Sequence, residues 1–174
     1  MVYIVSNLKR GFSILNKLPE GFLKNPINFC AFAFGSGCAP KAPGTFGTLM
    51  GLVIYCLLPE MSVFVYLLLI ILSFIVGVYF CDKASSSLGV HDHGGIVWDE
   101  FVGFWITMIA APEGWQWMVL GFALFRLFDI WKPQPIKYLD EKVAGGFGIM
   151  LDDVVAGVYA LIVMHITSML FSML

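Results

Sequence analysis

The chain is 174 residues with 59% hydrophobic and 13% charged side chains and a mean hydropathy of +0.86, against roughly 45–50% apolar and about 25% charged in ordinary soluble domains. A soluble domain of this length cannot bury that much apolar surface. Net charge is −2, and the arginines are Arg10 and Arg126 alone, so no broad basic surface exists to displace counterions from DNA or RNA and nucleic acid is excluded as a partner.

At the N-terminus, Val5, Leu8, Phe12, Leu15 and Leu18 recur at helical spacing with Lys9, Arg10 and Lys17 between them. This pattern predicts an amphipathic helix on a membrane surface within residues 1–27, with a frayed tail as the alternative. Basic residues follow the apolar start instead of preceding it, unlike a cleaved secretory signal.

Thr45 to Leu58 is free of charge and becomes a crossing helix if the Pro43–Gly44 turn sits at the membrane face. Pro59–Glu60 closes a hairpin. Met61 to Cys81 is 21 residues without a charge, about 31 Å of helix, enough to cross a bilayer. Two middle segments have shorter uncharged cores, Phe101 to Pro112 and Trp115 to Phe125. To cross, the first must begin near Gly94 and include Asp99 and Glu100, and the second must run to Lys132 and include Arg126 and Asp129. Ionisable groups so placed cost roughly 2.5–3.5 kcal/mol each on insertion scales and usually carry function. A last helix is expected from about Asp152 to Leu174, with His165 as a packing residue.

The fold class expected is therefore all-α: a polytopic helical membrane protein of one domain, residues 1–174, with about five crossings and an interfacial N-terminal segment. Tight turns at 59–60 and 112–114 then put all ten lysines and arginines at or near one side, leaving Glu60 and Glu113 opposite. By the positive-inside rule that side is cytoplasmic. No oligomeric state is read from the sequence. Cys30, Cys38, Cys56 and Cys81 form no Cys-x-x-Cys pair and no Cys-x5-Arg motif, and read as reduced packing residues.

In this topology four polar clusters meet at the cytoplasmic boundary: residues 35–48, 91–100, 126–135 and 145–153. They bring together the hard oxygen ligands Asp99, Glu100, Asp129, Asp152 and Asp153, a set that suits Mg²⁺, beside the cations Lys41, Arg126 and Lys132. Carboxylates, a metal and cations at lipid headgroup depth describe a phosphate site. Simpler readings stand beside this one. Asp152 and Asp153 could cap the last helix, Arg126 and Asp129 could be an internal ion pair, and of Asp99 and Glu100 one could face water. Gly35-Ser36-Gly37 and Pro43-Gly44-Thr45-Phe46-Gly47-Thr48 gather N–H groups and hydroxyls at a helix start, which suits an anion but also any turn before a helix. His91-Asp92-His93 reads either as a ligand pair or as an exposed polar loop.

Phe34-Gly35-Ser36-Gly37 with Pro40 and Pro43-Gly44-Thr45, Val90-His91-Asp92-His93-Gly94 with Ile96-Val97-Trp98-Asp99-Glu100, Arg126-x-x-Asp129-x-Trp131-Lys132-Pro133, and Gly145-Gly146-x-Gly148-Ile149-Met150-x-Asp152-Asp153-x-x-Ala156-Gly157 together resemble bacterial phosphatidylglycerophosphatase A over about residues 28 to 160. The resemblance implies a Mg²⁺-dependent, multi-pass enzyme of the bacterial inner membrane. Its reaction would remove the terminal phosphate of phosphatidylglycerophosphate to leave phosphatidylglycerol. On this reading Asp99, Glu100, Asp129, Asp152 and Asp153 are candidate catalytic groups and metal ligands. Lys41, Thr45, His91, Arg126 and Lys132 are candidate substrate contacts, with Arg126 favoured as a two-pronged phosphate grip. No Asp-x-Asp nucleophile motif and no Ser-Gly-His series is present, which leaves metal-assisted displacement, with a carboxylate either activating water or attacking phosphorus. A small ion or proton transporter, a structural scaffold, and a phosphatase or phosphotransferase for another phospholipid are the alternatives.

Overall fold

The computed structural model describes residues 18–90 and 92–173; the expected interfacial helix before Leu18, and His91, lie outside them. Helix makes up 75% of the structure, with no strand among the described residues. Asn25 starts α1 (Pro26–Ala31) by accepting the Ile27 N–H at 2.9 Å, and Pro26 fills a first-turn position that needs no amide partner. A 3-10 stretch, Ala33–Cys38, turns the chain into α2 (Pro43–Leu57). Next come α3 (Val63–Leu88), which stops at Gly89 in the left-handed region, the short α4 (Asp99–Thr107), α5 (Trp115–Trp131), α6 (Ile136–Lys142) and α7 (Gly145–Ser172).

The packing is centred on α7, which contacts α3, α4, α5 and α6, while α4 lies among α2, α3, α5 and α7. Every residue of α4 from Glu100 to Thr107 is buried. The approach of α4 to α7 depends on two glycines: a side chain at Gly157 would collide with Gly103 O, and one at Gly103 with the Phe125 ring. In that gap Thr107 Oγ1 lies 3.1 Å from Gly103 O and 3.3 Å from Gly157 O. Trp105 donates its indole N–H to Gly51 O of α2 at 2.9 Å, and Tyr66 of α3 donates its hydroxyl to Trp105 O at 2.9 Å. These three buried polar groups are thus paired across helices, as a low-dielectric interior favours.

The outward faces are the reverse of a soluble protein's. Leu72 on α3 is 61% exposed, Ile130 on α5 70% and Leu170 on α7 60%, with Phe46 and Val53 of α2 also open. Two helices, α3 with 26 residues and α7 with 28, are long and apolar enough to cross a membrane. The expected helices at 45–58 and 115–132 are found as α2 and α5. The segment expected to run from 94 to 112 is different: only Asp99–Thr107 is helical, about 14 Å at 1.5 Å per residue, well short of a 30 Å hydrocarbon core. Met108 to Ala110 is a turn, and Ala110 has a φ of 50°. The last helix also starts earlier than expected. Its N-cap is Ala144, so Asp152 and Asp153 sit two turns inside α7 and cap nothing.

Candidate active site

The N-terminal ends of α2, α4 and α7 and the C-terminal ends of α3 and α5 meet at one end of the bundle. On α4, Glu100 is buried and ion-paired through Oε2 to Arg126 Nη1 of α5. The same Nη1 lies 2.8 Å from Asp129 Oδ2, one turn on in α5. Thr48 of α2, fully buried, brings its hydroxyl to 2.6 Å from Glu100 Oε2 and 3.0 Å from Gly44 O. Gly44 is glycine for a steric reason, since any side chain there would strike Glu100 Oε1 and the Arg126 guanidinium. The start of α2, expected to present N–H groups to an anion, therefore faces the carboxylate of Glu100, which its dipole favours.

On the α7 side, Asp152 and Asp153 are 6% and 2% exposed. Ligand oxygens of Asp129, Asp152 and Asp153 all lie within 4.8 Å of one another. Lys132, just past the end of α5, reaches Asp152 Oδ2 at 2.8 Å and Asp140 Oδ1 of α6 at 2.7 Å. Two carboxylates within 2.8 Å offset the cost of burying the Lys132 ammonium. Asp153 Oδ2 and Asp99 Oδ1 are buried with no hydrogen-bond partner. Asp99 is within electrostatic reach of Glu100, Asp152, Asp92 and Asp129.

Asp99, Glu100, Asp129, Asp152 and Asp153, with Asp140 at the edge, thus share the two cations Arg126 and Lys132, an imbalance that a low-dielectric site does not tolerate unaided. Three close oxygens, one of them on an orphaned buried carboxylate, fit a hard divalent cation such as Mg²⁺.

The remaining sequence candidates fall as follows. Arg126, expected to grip phosphate, has Nη1 on Glu100 and Asp129, and its Nε is buried without a partner. Thr45 is half-buried in the first turn of α2. Lys41 is exposed before that helix and joins none of the ion pairs among the described residues. His93 is half-buried beside the Phe32 ring and accepts the Gly95 N–H on Nδ1 at 3.1 Å, so it braces its own loop. His165 is far from the site, with Nε2 2.9 Å from Ile109 O. Two contributors escaped the sequence reading. Thr48 was visible only as a hydroxyl in a Gly-rich turn, and Asp82 of α3 accepts the Gly146 N–H at 3.3 Å, tying α3 to the start of α7.

A carboxylate cluster braced by an arginine and a lysine, at one end of an outwardly apolar helix bundle, has the outline of a phosphomonoester hydrolase acting on lipid. Residues 29–168 match the family described as phosphatidylglycerophosphatase A. The chain is 51% identical over 150 residues to phosphatidylglycerophosphatase A of Haemophilus influenzae, covering 85% of this chain and 92% of that protein. It is 47% identical over 137 residues to phosphatidylglycerophosphatase A of Escherichia coli, covering 78% and 80%. A Bacteroides thetaiotaomicron protein, named as a candidate phosphatidylinositol-3-phosphatase, is 41% identical over 141 residues, covering 76% and 87%. No solved structure matches. The chain belongs to the phosphatidylglycerophosphatase A family, whose named members are phosphoric monoester hydrolases.

Proposed function

We propose that this protein hydrolyses the terminal phosphomonoester of phosphatidylglycerophosphate to phosphatidylglycerol and inorganic phosphate, with Mg²⁺, at the cytoplasmic face of the bacterial inner membrane. The observation that carries the chemistry is the cluster of Asp129, Asp152 and Asp153 with oxygens within 4.8 Å of one another. These three would hold the metal, which when bound neutralises phosphate oxygens. Lys132, charged and partly open, moves from Asp140 to a phosphate oxygen, and Lys41 is free to meet the headgroup from solvent. Arg126 keeps Glu100 and Asp129 together. An orphaned oxygen, on Asp153 or Asp99, takes the proton of the attacking water. The new bond joins that water's oxygen to phosphorus and the bond to the glycerol oxygen breaks; the alkoxide takes up one proton from solvent, and the carboxylic acid gives its proton back to solvent.

The membrane reading follows from the exposed apolar faces. The single domain crosses five times: α2, α3, α5 and α7 face lipid, and residues 94–112 pass through the interior, where a short helix with irregular flanks is tolerated because protein surrounds it. Basic residues crowd the end that carries the site, which supports a cytoplasmic orientation. Cysteines introduced at Glu60 and Lys83 should be labelled by an impermeant thiol reagent from opposite sides; labelling of both from one side rejects the five-crossing arrangement.

The name of the Bacteroides relative favours one second reading, a phosphatase for another phospholipid phosphomonoester. Phosphate release by the purified protein from phosphatidylglycerophosphate and phosphatidylinositol 3-phosphate, in mixed micelles, separates the two. Faster release from the first is expected; release from the second alone overturns the substrate assignment.

A further inference from the structure

Of the four groups in the buried bridge from α2 to α5, Thr48 alone carries no charge, and it is also the most enclosed. Its hydroxyl is 2.6 Å from Glu100 Oε2 and lies 3.4 Å from Arg126 Nη1. Glu100 and Asp129 share that Nη1, and Asp129 is the only member of the close aspartate trio that stands on α5. Asp152 has its own brace in Lys132. Asp129 therefore depends on Arg126 for its orientation. Arg126 in turn is fixed by a carboxylate whose remaining partner is Thr48.

The geometry points to Thr48 as a positioning residue for the metal site: its hydroxyl fixes Glu100, hence Arg126, hence the Asp129 carboxylate against Asp152 and Asp153. This rests on the metal reading above and adds to it a residue 81 positions from Asp129 in the chain. The physical case is that of an outer-shell partner. A carboxylate in a low-dielectric site that loses one of its hydrogen bonds reorients toward its remaining partner and takes the coupled guanidinium with it. Gly44 supports the same assignment from the other side. Its missing side chain lets the first turn of α2 close on Glu100, which brings Thr48 within reach. Thr48 touches none of the three aspartates, so its effect is transmitted and not direct.

The test uses the full chain in detergent, with Mn²⁺ alone as the probe, read by electron paramagnetic resonance, and thermal unfolding of the metal-free protein alongside. Thr48→Val keeps the shape and removes the hydroxyl; Thr48→Ser keeps the hydroxyl. Outer-shell losses typically cost about 10–100-fold in metal affinity. The expected result is a Mn²⁺ dissociation constant raised about tenfold or more in Thr48→Val and less than about threefold in Thr48→Ser, with the metal-free melting temperatures of the two variants alike. Mn²⁺ bound equally well by Thr48→Val and the unsubstituted protein overturns the role of Thr48 and leaves the metal reading intact. Equal impairment of both variants also overturns it, because packing and not the hydroxyl would then be at stake. No Mn²⁺ binding by the unsubstituted protein overturns the metal reading, and the Thr48 role with it.

Discussion

Helices α3 and α7 pass the same test of length and apolarity, yet they do different work. From Val63 to Cys81, α3 carries only hydroxyls and a thiol as polar groups, and it turns Leu72, Ile75 and other large side chains outward. Its first charge, Asp82, comes near the end and receives the Gly146 N–H. In α7, Asp152 and Asp153 lie two turns inside and are buried against α4 and α5, with small residues at Ala156, Gly157 and Ala160 that let those helices come close. A helix that only has to sit in lipid can be hydrophobic all round. One that also has to carry charge needs neighbours bearing opposite charge within a few ångströms, and Arg126 and Lys132 are those neighbours.

The sharpest way to break this contrast is to neutralise the inner charge of α7. Asp153→Asn should lower turnover about 10³-fold or more, the scale of losing a group that holds a metal on a phosphoryl centre. Leu72→Ala on the outward apolar face of α3 should change it less than about twofold. Steady-state phosphate release checks both, with circular dichroism to establish that Asp153→Asn is folded.

Next in size is Arg126→Lys, expected to cost about 10–100-fold in kcat/KM because a freely rotating ammonium on a shorter side chain does not reproduce the planar guanidinium that sets Nη1 between Glu100 and Asp129. Retention of most of the activity would mean that charge alone is needed there.

Packing should follow the same asymmetry. Gly157→Ala must push backbone against backbone at Gly103 and should destabilise by about 1–3 kcal/mol. Gly77→Ala on α3 meets side-chain atoms of Trp98 and Met150, which have more freedom to shift, so its loss should be smaller. Thermal unfolding in detergent compares them.

The smallest effect concerns the loop before α4. Burial holds the His93 imidazole below its usual pKa of 6.5, so the unfolded chain takes up the proton first as pH falls. Stability from this group is complete above about pH 6.5 and is lost as pH drops toward the folded-state value. Melting temperatures of the unsubstituted protein and His93→Gln should therefore diverge most near neutrality and converge in acid.

Much of the contrast between α3 and α7 is legible in the sequence, because an uncharged run such as 61–81 has few alternatives to a crossing helix. The same logic gave α2 and α5 nearly to the residue. It misjudged how much of residues 94–112 is helical: hydropathy suggested helix along the whole segment, and only Asp99–Thr107 forms one, buried among its neighbours. What decides that segment is contact with α7 through Gly103 and Gly157, and no local pattern encodes a partner 54 residues away. The start of α7 was missed for a related reason. Gly145, Gly146 and Gly148 look like a loop, but Gly146 and Gly148 sit where side chains would collide with the backbones of Val78 and Val143. The carboxylates and cations of the site were all visible as residues. Their pairing was only partly so: Arg126 with Asp129 follows from helical spacing, while Glu100 with Thr48 and Lys132 with Asp140 and Asp152 arise from the tertiary fold.

The most direct test of the claim that the charged turn of α7 forms a metal-dependent phosphatase centre is a Mg²⁺ titration. Phosphate release from phosphatidylglycerophosphate is followed from excess EDTA to saturating metal, using the purified, unsubstituted protein. The account predicts no release in EDTA and full recovery on adding Mg²⁺; an undiminished rate in EDTA would contradict it.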